Sequence, residues 1–227
     1  NAPIITSNGG GASASVNVAE NSTAVTSVTA LDADLPAQAL TYSIVGGVDA
    51  AKFSINAGTG ALSFLLTPDY ELPTDVGADN VFDVVVQVSD GTFTDSQAIA
   101  VSIVPVNDNA PIITSDGGAA AANVSIAENT TAVTTVTATD ADLPAQSLGY
   151  SIVGGADAAR FTINASSGAL SFVSAPDYEA PTDADANNVY EVTVQVADGS
   201  GGFATQTLSV AITNASEAPV NSVPGAQ

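Results

Sequence analysis

Along most of the chain, apolar and polar residues alternate with a period of two rather than the 3.6 of a helix. Between Val81 and Asp90, Phe82, Val84, Val86 and Val88 interleave with Asp83, Val85, Gln87 and Ser89, the pattern of a strand with one buried face. Ile99, Val101 and Ile103 repeat it downstream. Upstream, Leu40, Tyr42 and Ile44 do the same, followed by Phe53 with Ile55 and, past the Gly58-Thr59-Gly60 turn, Leu62 with Phe64. Val16 with Val18, and Val25 with Val28, supply the first strands. Gly, Asn, Asp and Pro punctuate these runs, so about seven short strands per hundred residues predict an antiparallel, two-sheet, all-β sandwich. Phe53, Phe64, Phe82 and their later counterparts are expected in its core, with Tyr70 and Tyr178 as anchors.

The pattern occurs twice. Asn1-Ala2-Pro3-Ile4-Ile5-Thr6-Ser7 returns as Asn109-Ala110-Pro111-Ile112-Ile113-Thr114-Ser115, and the offset of 108 holds without a gap for ninety residues, with 63 of the 90 pairs identical. Two modules follow, 1–108 and 109–219, with a short tail at 220–227. The join falls at Asn107 to Pro111, where turn formers and proline separate two patterned segments. Asn1 starts at the same phase as Asn109, so the chain is expected to be a piece of a longer array.

Composition removes most chemistries. There is no His, Cys, Met or Trp among the 227 residues, and 24 acids face 2 basic residues, a formal charge of −22. Histidine acid/base catalysis, nucleophile triads, disulfides and zinc or haem sites lack their residues. Paired carboxylates can hydrolyse glycosides, and Asp69 with Glu71 is such a pair, but an aromatic-platform cleft is not expected without tryptophan. The charge opposes nucleic acid and anionic membranes. No apolar run suggests a membrane span, and the first residues lack the basic and apolar regions of a signal peptide. With 45% hydrophobic residues the chain should nevertheless fold.

The acids collect at strand ends and turns: Ala19-Glu20-Asn21, Asp32-Ala33-Asp34, Asp69-Tyr70-Glu71, Ser89-Asp90-Gly91, and the linker Asn107-Asp108-Asn109-Ala110-Pro111. In an up-and-down sandwich Glu20 and the Asp69–Glu71 turn fall at one end, Asp34 and Asp90 at the other. Head-to-tail stacking would gather Glu20, Asp69, Glu71, Asp108, Asp140, Asp142 and Asp198, seven carboxylates with no basic residue near in sequence. Two carboxylates about 4 Å apart repel by roughly 4 kcal/mol at an effective dielectric near 20. Calcium, which takes six to eight hard oxygens in flexible geometry, would neutralise them. A lone Asp-x-Asp or Asp-Gly reads more simply as a turn; the convergence of these motifs on the two ends of one module favours metal. Asp75, Asp79 and Asn80, with Asp183, Asp185, Asn187 and Asn188, read as a solvated hairpin.

These five motifs, in this order and twice over, resemble the cadherin repeat, most of all the bacterial cadherin-like modules of large secreted surface adhesins. The resemblance covers essentially the whole chain. It implies an immunoglobulin-like Greek-key sandwich and calcium between successive modules. Carried over residue by residue, it implies Glu20, Asp69, Glu71, Asn107, Asp108, Asn109, Asp140, Asp142 and Asp198 as ligands at the junction, with two or three calcium ions. Asp32, Asp34 and Asp90 at one outer end, and Glu128, Asp177 and Glu179 at the other, would form partial sites. Pro105 stands where the family's linker usually begins with aspartate, and Ser216-Glu217 replace the Asn-Asp of the first linker. The function implied is that of calcium-stiffened, non-enzymatic extender modules at a bacterial cell surface, supporting adhesion or biofilm formation. Their partners would be the neighbouring modules. Calcium-dependent polysaccharide binding and homophilic adhesion are the rival readings.

Overall fold

A computed structural model describes residues 1–217; the tail expected at 220–227 lies outside them. The chain divides into two compact units. The first holds residues 1–106 together with the segment Asp142–Pro144, and the second holds 107–141 and the described residues from Ala145 onward. Every regular element longer than three residues is a strand, and no helix among the described residues is long and apolar enough to cross a membrane.

In the first repeat nine strand segments follow in order: β1 (Ile4–Ile5), β2 (Ser13–Ala19), β3 (Ala24–Ser27), β4 (Ala30–Leu31), β5 (Thr41–Gly46), β6 (Phe53–Ile55), β7 (Ala61–Phe64), β8 (Val81–Ser89) and β9 (Thr94–Val104). β1 with β2, and β3 with β4, are single strands interrupted by a turn or break, which leaves the seven-stranded sandwich expected. One sheet runs β2-β9-β8-β5, the other β3-β7-β6, with β1 paired to β4. All pairs of this repeat are antiparallel except one. β2 runs parallel to β9, from Ser13 opposite Ala98 to Ala19 opposite Val104. A parallel pair needs a long crossover, and the intervening strands supply it.

The second repeat copies this plan: β10 (Ile112–Ile113), β11 (Ala121–Ala127), β12 (Ala132–Thr135), β13 (Ala138–Thr139), β14 (Gly149–Gly154), β15 (Phe161–Ile163), β16 (Ala169–Phe172), β17 (Val189–Ala197) and β18 (Phe203–Thr213), with β11 parallel to β18.

Each repeat has its own core, built from the inward side chains of the alternating strands. In the first, Phe82, Val84, Val86 and Val88 of β8 and Ile99, Val101 and Ile103 of β9 are buried beneath Phe53, Leu62 and Phe64. Phe53 and Phe64 stack at 4.5 Å, and Phe82 meets Phe64 edge-on at 5.0 Å, the offset geometries that the ring quadrupole favours. Phe161, Phe172 and Tyr190 repeat the cluster. Tyr70 packs on the core as expected, but Tyr178 is exposed. Gly47 lets β5 turn back over β8: its φ is +101°, and a Cβ there would stand 2.3 Å from the Asp83 carbonyl oxygen and 2.5 Å from the Val84 Cα. Gly155 occupies the matching place.

Candidate metal sites

At the end of β2 the backbone N–H of Glu20 closes onto Val104, and Asn21, at a φ of +60°, turns the chain so that its N–H reaches Pro68. Glu20 is thereby driven inside, 3% exposed. Its two carboxylate oxygens are both used, one accepting the Tyr70 N–H and the other the Val106 N–H, each at 2.7 Å. The Asp69–Glu71 turn is self-bracing, because Asp69 Oδ1 accepts the N–H groups of Glu71 and Leu72 at 3.0 Å. One oxygen from each of Glu20, Asp69 and Glu71 falls within 4.8 Å of the other two. Glu71 Oε2 is buried with no hydrogen-bond partner. Burial, and after it the Glu20 charge, push the Glu71 carboxyl above its ordinary range.

A second acidic group of the same unit gathers Asp32, Asp34 and Asp90, again with oxygens within 4.8 Å. Asp32 Oδ1 accepts the Asp34 N–H at 3.0 Å. Asp90 Oδ1 accepts those of Phe93 and Thr92 at 2.7 and 2.6 Å, which holds its carboxyl below the usual range. The remaining oxygens, Asp32 Oδ2 and Asp90 Oδ2, are buried and unpartnered. The α-amino group of Asn1 lies 2.6 Å from both Asp34 oxygens.

In the second unit Glu128, Asp177 and Glu179 repeat the first group. Glu128 accepts the N–H groups of Tyr178 and Ala215 at 2.7 Å, and these hold its carboxyl below the usual range. Asp177 Oδ1 braces Glu179 and Ala180. Near the altered linker, the Asn214 amide donates to Glu179 and the Asn129 amide to Glu217. Asp140 and Asp198 bring carboxylate oxygens within 4.8 Å of each other. Asp198 collects the N–H groups of Ser200, Gly201 and Gly202 at 2.7 to 3.1 Å; the Ser200 amide does most to lower its carboxyl. Asp142 is buried, in the short segment grouped with the first unit. Asn107, Asp108 and Asn109 lie in an irregular stretch, where Asn109 Nδ2 donates to Asp108 Oδ1 at 2.9 Å.

The structure thus brings together Glu20, Asp69 and Glu71; Asp32, Asp34 and Asp90; Glu128, Asp177 and Glu179; and Asp140 with Asp198. In the first two of these groups carboxylate oxygens are spent on backbone amides while others, Glu71 Oε2, Asp32 Oδ2 and Asp90 Oδ2, are buried and bare. A buried charged oxygen without a partner is costly, and hard anionic oxygens in an adaptable turn are what calcium takes. The donor set fits that ion.

Four buried aspartates escaped the sequence reading. Asp49, 2% exposed, accepts the N–H groups of Val76 and Asp83 at 2.8 and 2.9 Å, and Asp157 treats Ala184 and Glu191 alike. Asp75 and Asp183, expected in solvated hairpins, are buried and accept the amides of residues four and five places on. Burial alone would raise both carboxyls, yet the backbone donors win and lower them. The loop is sealed because its amides find no strand partner and turn inward to these carboxylates. Recurrence of Asp49-Ala50-Ala51 as Asp157-Ala158-Ala159 was the available signal.

Residues 122–213 match the cadherin domain family. Over 141 residues the chain is 33% identical to protocadherin Fat 1 of Homo sapiens, a match over 59% of this chain that spans 3% of that protein's length. Among solved structures, the fold matches human protocadherin-24 EC1-2 (form II) with a TM-score of 0.68 at 22% identity, covering 94% of this chain and 99% of that one. It also matches protocadherin gamma B2 extracellular cadherin domains 3-6 with a TM-score of 0.66 at 24% identity, covering 95% and 53%. The sandwich is therefore of the cadherin kind.

Proposed function

We propose that the chain is a tandem pair of non-enzymatic, cadherin-like modules, 1–108 and 109–219, that bind calcium and serve as extender segments of an extracellular, bacterial-type surface adhesin. The observation that carries this reading is the recurrence of acidic groups in each repeat, with Asp32 Oδ2, Asp90 Oδ2 and Glu71 Oε2 of the first buried and without hydrogen-bond partners. Two or three calcium ions would be held at the module junction by Glu20, Asp69, Glu71, Asn107, Asp108, Asn109, Asp140, Asp142 and Asp198. The outer groups would hold partial sites. Calcium would supply neutralisation of like charge. The protein's own part is to aim the oxygens, since Glu20, Asp90 and Asp198 are each already fixed by backbone N–H groups.

Extracellular modules bind calcium at about 0.1 to 1 mM, so the array would be stiff outside a cell and slack where calcium is scarce. The absence of cysteine is compatible with export that includes no oxidising step. Isothermal titration of the 227-residue chain with calcium, paired with small-angle scattering, tests the reading. The expected result is two or more ions bound and a calcium-dependent loss of flexibility. No heat and no change in scattering between chelator and millimolar calcium would overturn it.

A further inference from the structure

The two repeats differ at one buried contact that none of these acidic groups includes. In the first repeat Gln97 is fully buried on β9. Its Nε2 donates to the Gly11 carbonyl at 2.8 Å and the Ser7 carbonyl at 3.4 Å, and its Oε1 accepts Asn8 Nδ2 at 3.4 Å. Asn8 Oδ1 in turn accepts the Thr26 hydroxyl at 3.0 Å. The amide of Gln97 is satisfied at both ends.

In the second repeat Gln206, 1% exposed, is held the same way, Nε2 donating to Ala119 at 2.8 Å and Ser115 at 3.4 Å. The residue at the position of Asn8, however, is Asp116, which is exposed. Its backbone, at φ 50° and ψ 36°, matches that of Asn8 at 52° and 34°. Thr134 keeps the role of Thr26, its hydroxyl lying 3.2 and 3.3 Å from the two Asp116 oxygens. A carboxylate oxygen thus replaces the amide donor, and Gln206 Oε1 is buried with no partner. Turning the Gln206 amide over gives no relief, because Oε1 would then face two carbonyl oxygens. An acceptor stranded in this way costs about 1–3 kcal/mol. What reconciles an amide oxygen with a carboxylate is a positive species between them, and the open space beside Gly117, with nothing within 4 Å of a built Cβ, leaves an approach for one.

We propose that Asp116 and Gln206 Oε1, with the Thr134 hydroxyl beside them, form a site for a small hard cation that is present in the second repeat and absent from the first. Oxygen donors of carboxylate, amide and hydroxyl type suit calcium, with water completing its shell. The test uses the whole chain at constant ionic strength, following the side-chain amide resonances of Gln206 and Gln97 during a calcium titration, in the parent and in Asp116→Asn and Asn8→Asp. The expected result is a calcium-dependent shift at Gln206 that vanishes in Asp116→Asn, none at Gln97, and the appearance of one at Gln97 in Asn8→Asp. Calorimetry should register one ion fewer in Asp116→Asn. A Gln206 signal indifferent to calcium while the Asp140 and Asp198 signals respond overturns this site and leaves the acidic groups intact. A Gln206 signal that moves only with pH, or that is unmoved by both, overturns it in favour of a proton on Asp116 or a bridging water.

Discussion

Substituting Glu20 by Gln probes how far the carboxylate groups work as scaffold and how far as ion sites. The amide keeps one acceptor but presents an NH2 group to either the Tyr70 or the Val106 N–H, both now 2.7 Å from a carboxylate oxygen. Losing one charge-assisted bond and stranding one buried N–H costs about 2–4 kcal/mol. Against this stands relief of repulsion. Glu20 lies within 4.8 Å of Asp69 and Glu71 oxygens; the pair with exposed Asp69 is worth about 1 kcal/mol at a water-like dielectric, and the more buried pair with Glu71 about 1–3 kcal/mol. In chelator the two effects nearly offset, and the first repeat should lose only about 0–2 kcal/mol. With calcium present no repulsion is left to relieve, and weakened binding removes about 1.4 kcal/mol more for each tenfold loss of ion affinity. The loss should then be about 3–5 kcal/mol. Native-state hydrogen exchange at Val84, Val86 and Val88 reads the first repeat alone, since these amides lie in its buried strand β8. Equal destabilisation in chelator and calcium, to within about 0.5 kcal/mol, would refute the reasoning.

Asp49→Asn and Asp157→Asn should each destabilise their own repeat by about 2–3 kcal/mol, with no dependence on calcium; urea unfolding with repeat-resolved exchange checks this, and a calcium-sensitive effect would contradict it. The lowered carboxyls of Asp90, Glu128 and Asp198 contribute stability present above their unfolded-state values and lost as pH falls through the folded ones, whereas raised Glu71 contributes below its unfolded value and loses that as pH rises through the folded one. Carboxyl-carbon NMR in chelator should therefore place the first three midpoints below, and Glu71 above, the ordinary values. Gly47→Ala forces a Cβ into the Asp83 carbonyl at a positive φ and should cost at least about 3 kcal/mol, visible as a lower first unfolding transition in calorimetry.

Much of the fold was legible because a strand with one wet face writes itself as alternation. β8 and β9 are uninterrupted in that respect, and Phe82 to Val88 and Ile99 to Ile103 are buried as read. The parallel pairing of β2 with β9 was not legible, since alternation reports which face is buried and nothing about which strand lies alongside. The acidic groups within each repeat were legible through recurrence of short motifs at strand ends, and Glu20, Asp69 and Glu71 meet as those motifs suggest. Asp49 and Asp75 were not, because an aspartate that serves loop amides has the same local sequence as one that faces water; only the path of the loop decides. Asp116 hid for the opposite reason. It is one conservative change within an otherwise repeated heptad, and its meaning depends on a glutamine about ninety positions away.

The pairing of β2 with β9, and of β11 with β18, sets how a repeat would bear tension. Because these first and last long strands run the same way over seven paired positions, a pull on the entering and leaving ends draws them past one another lengthwise. All the rungs of the ladder are then loaded at once, instead of being peeled singly as they would be in a hairpin tugged from its open end. Each bead is built so that stretching meets its strongest direction.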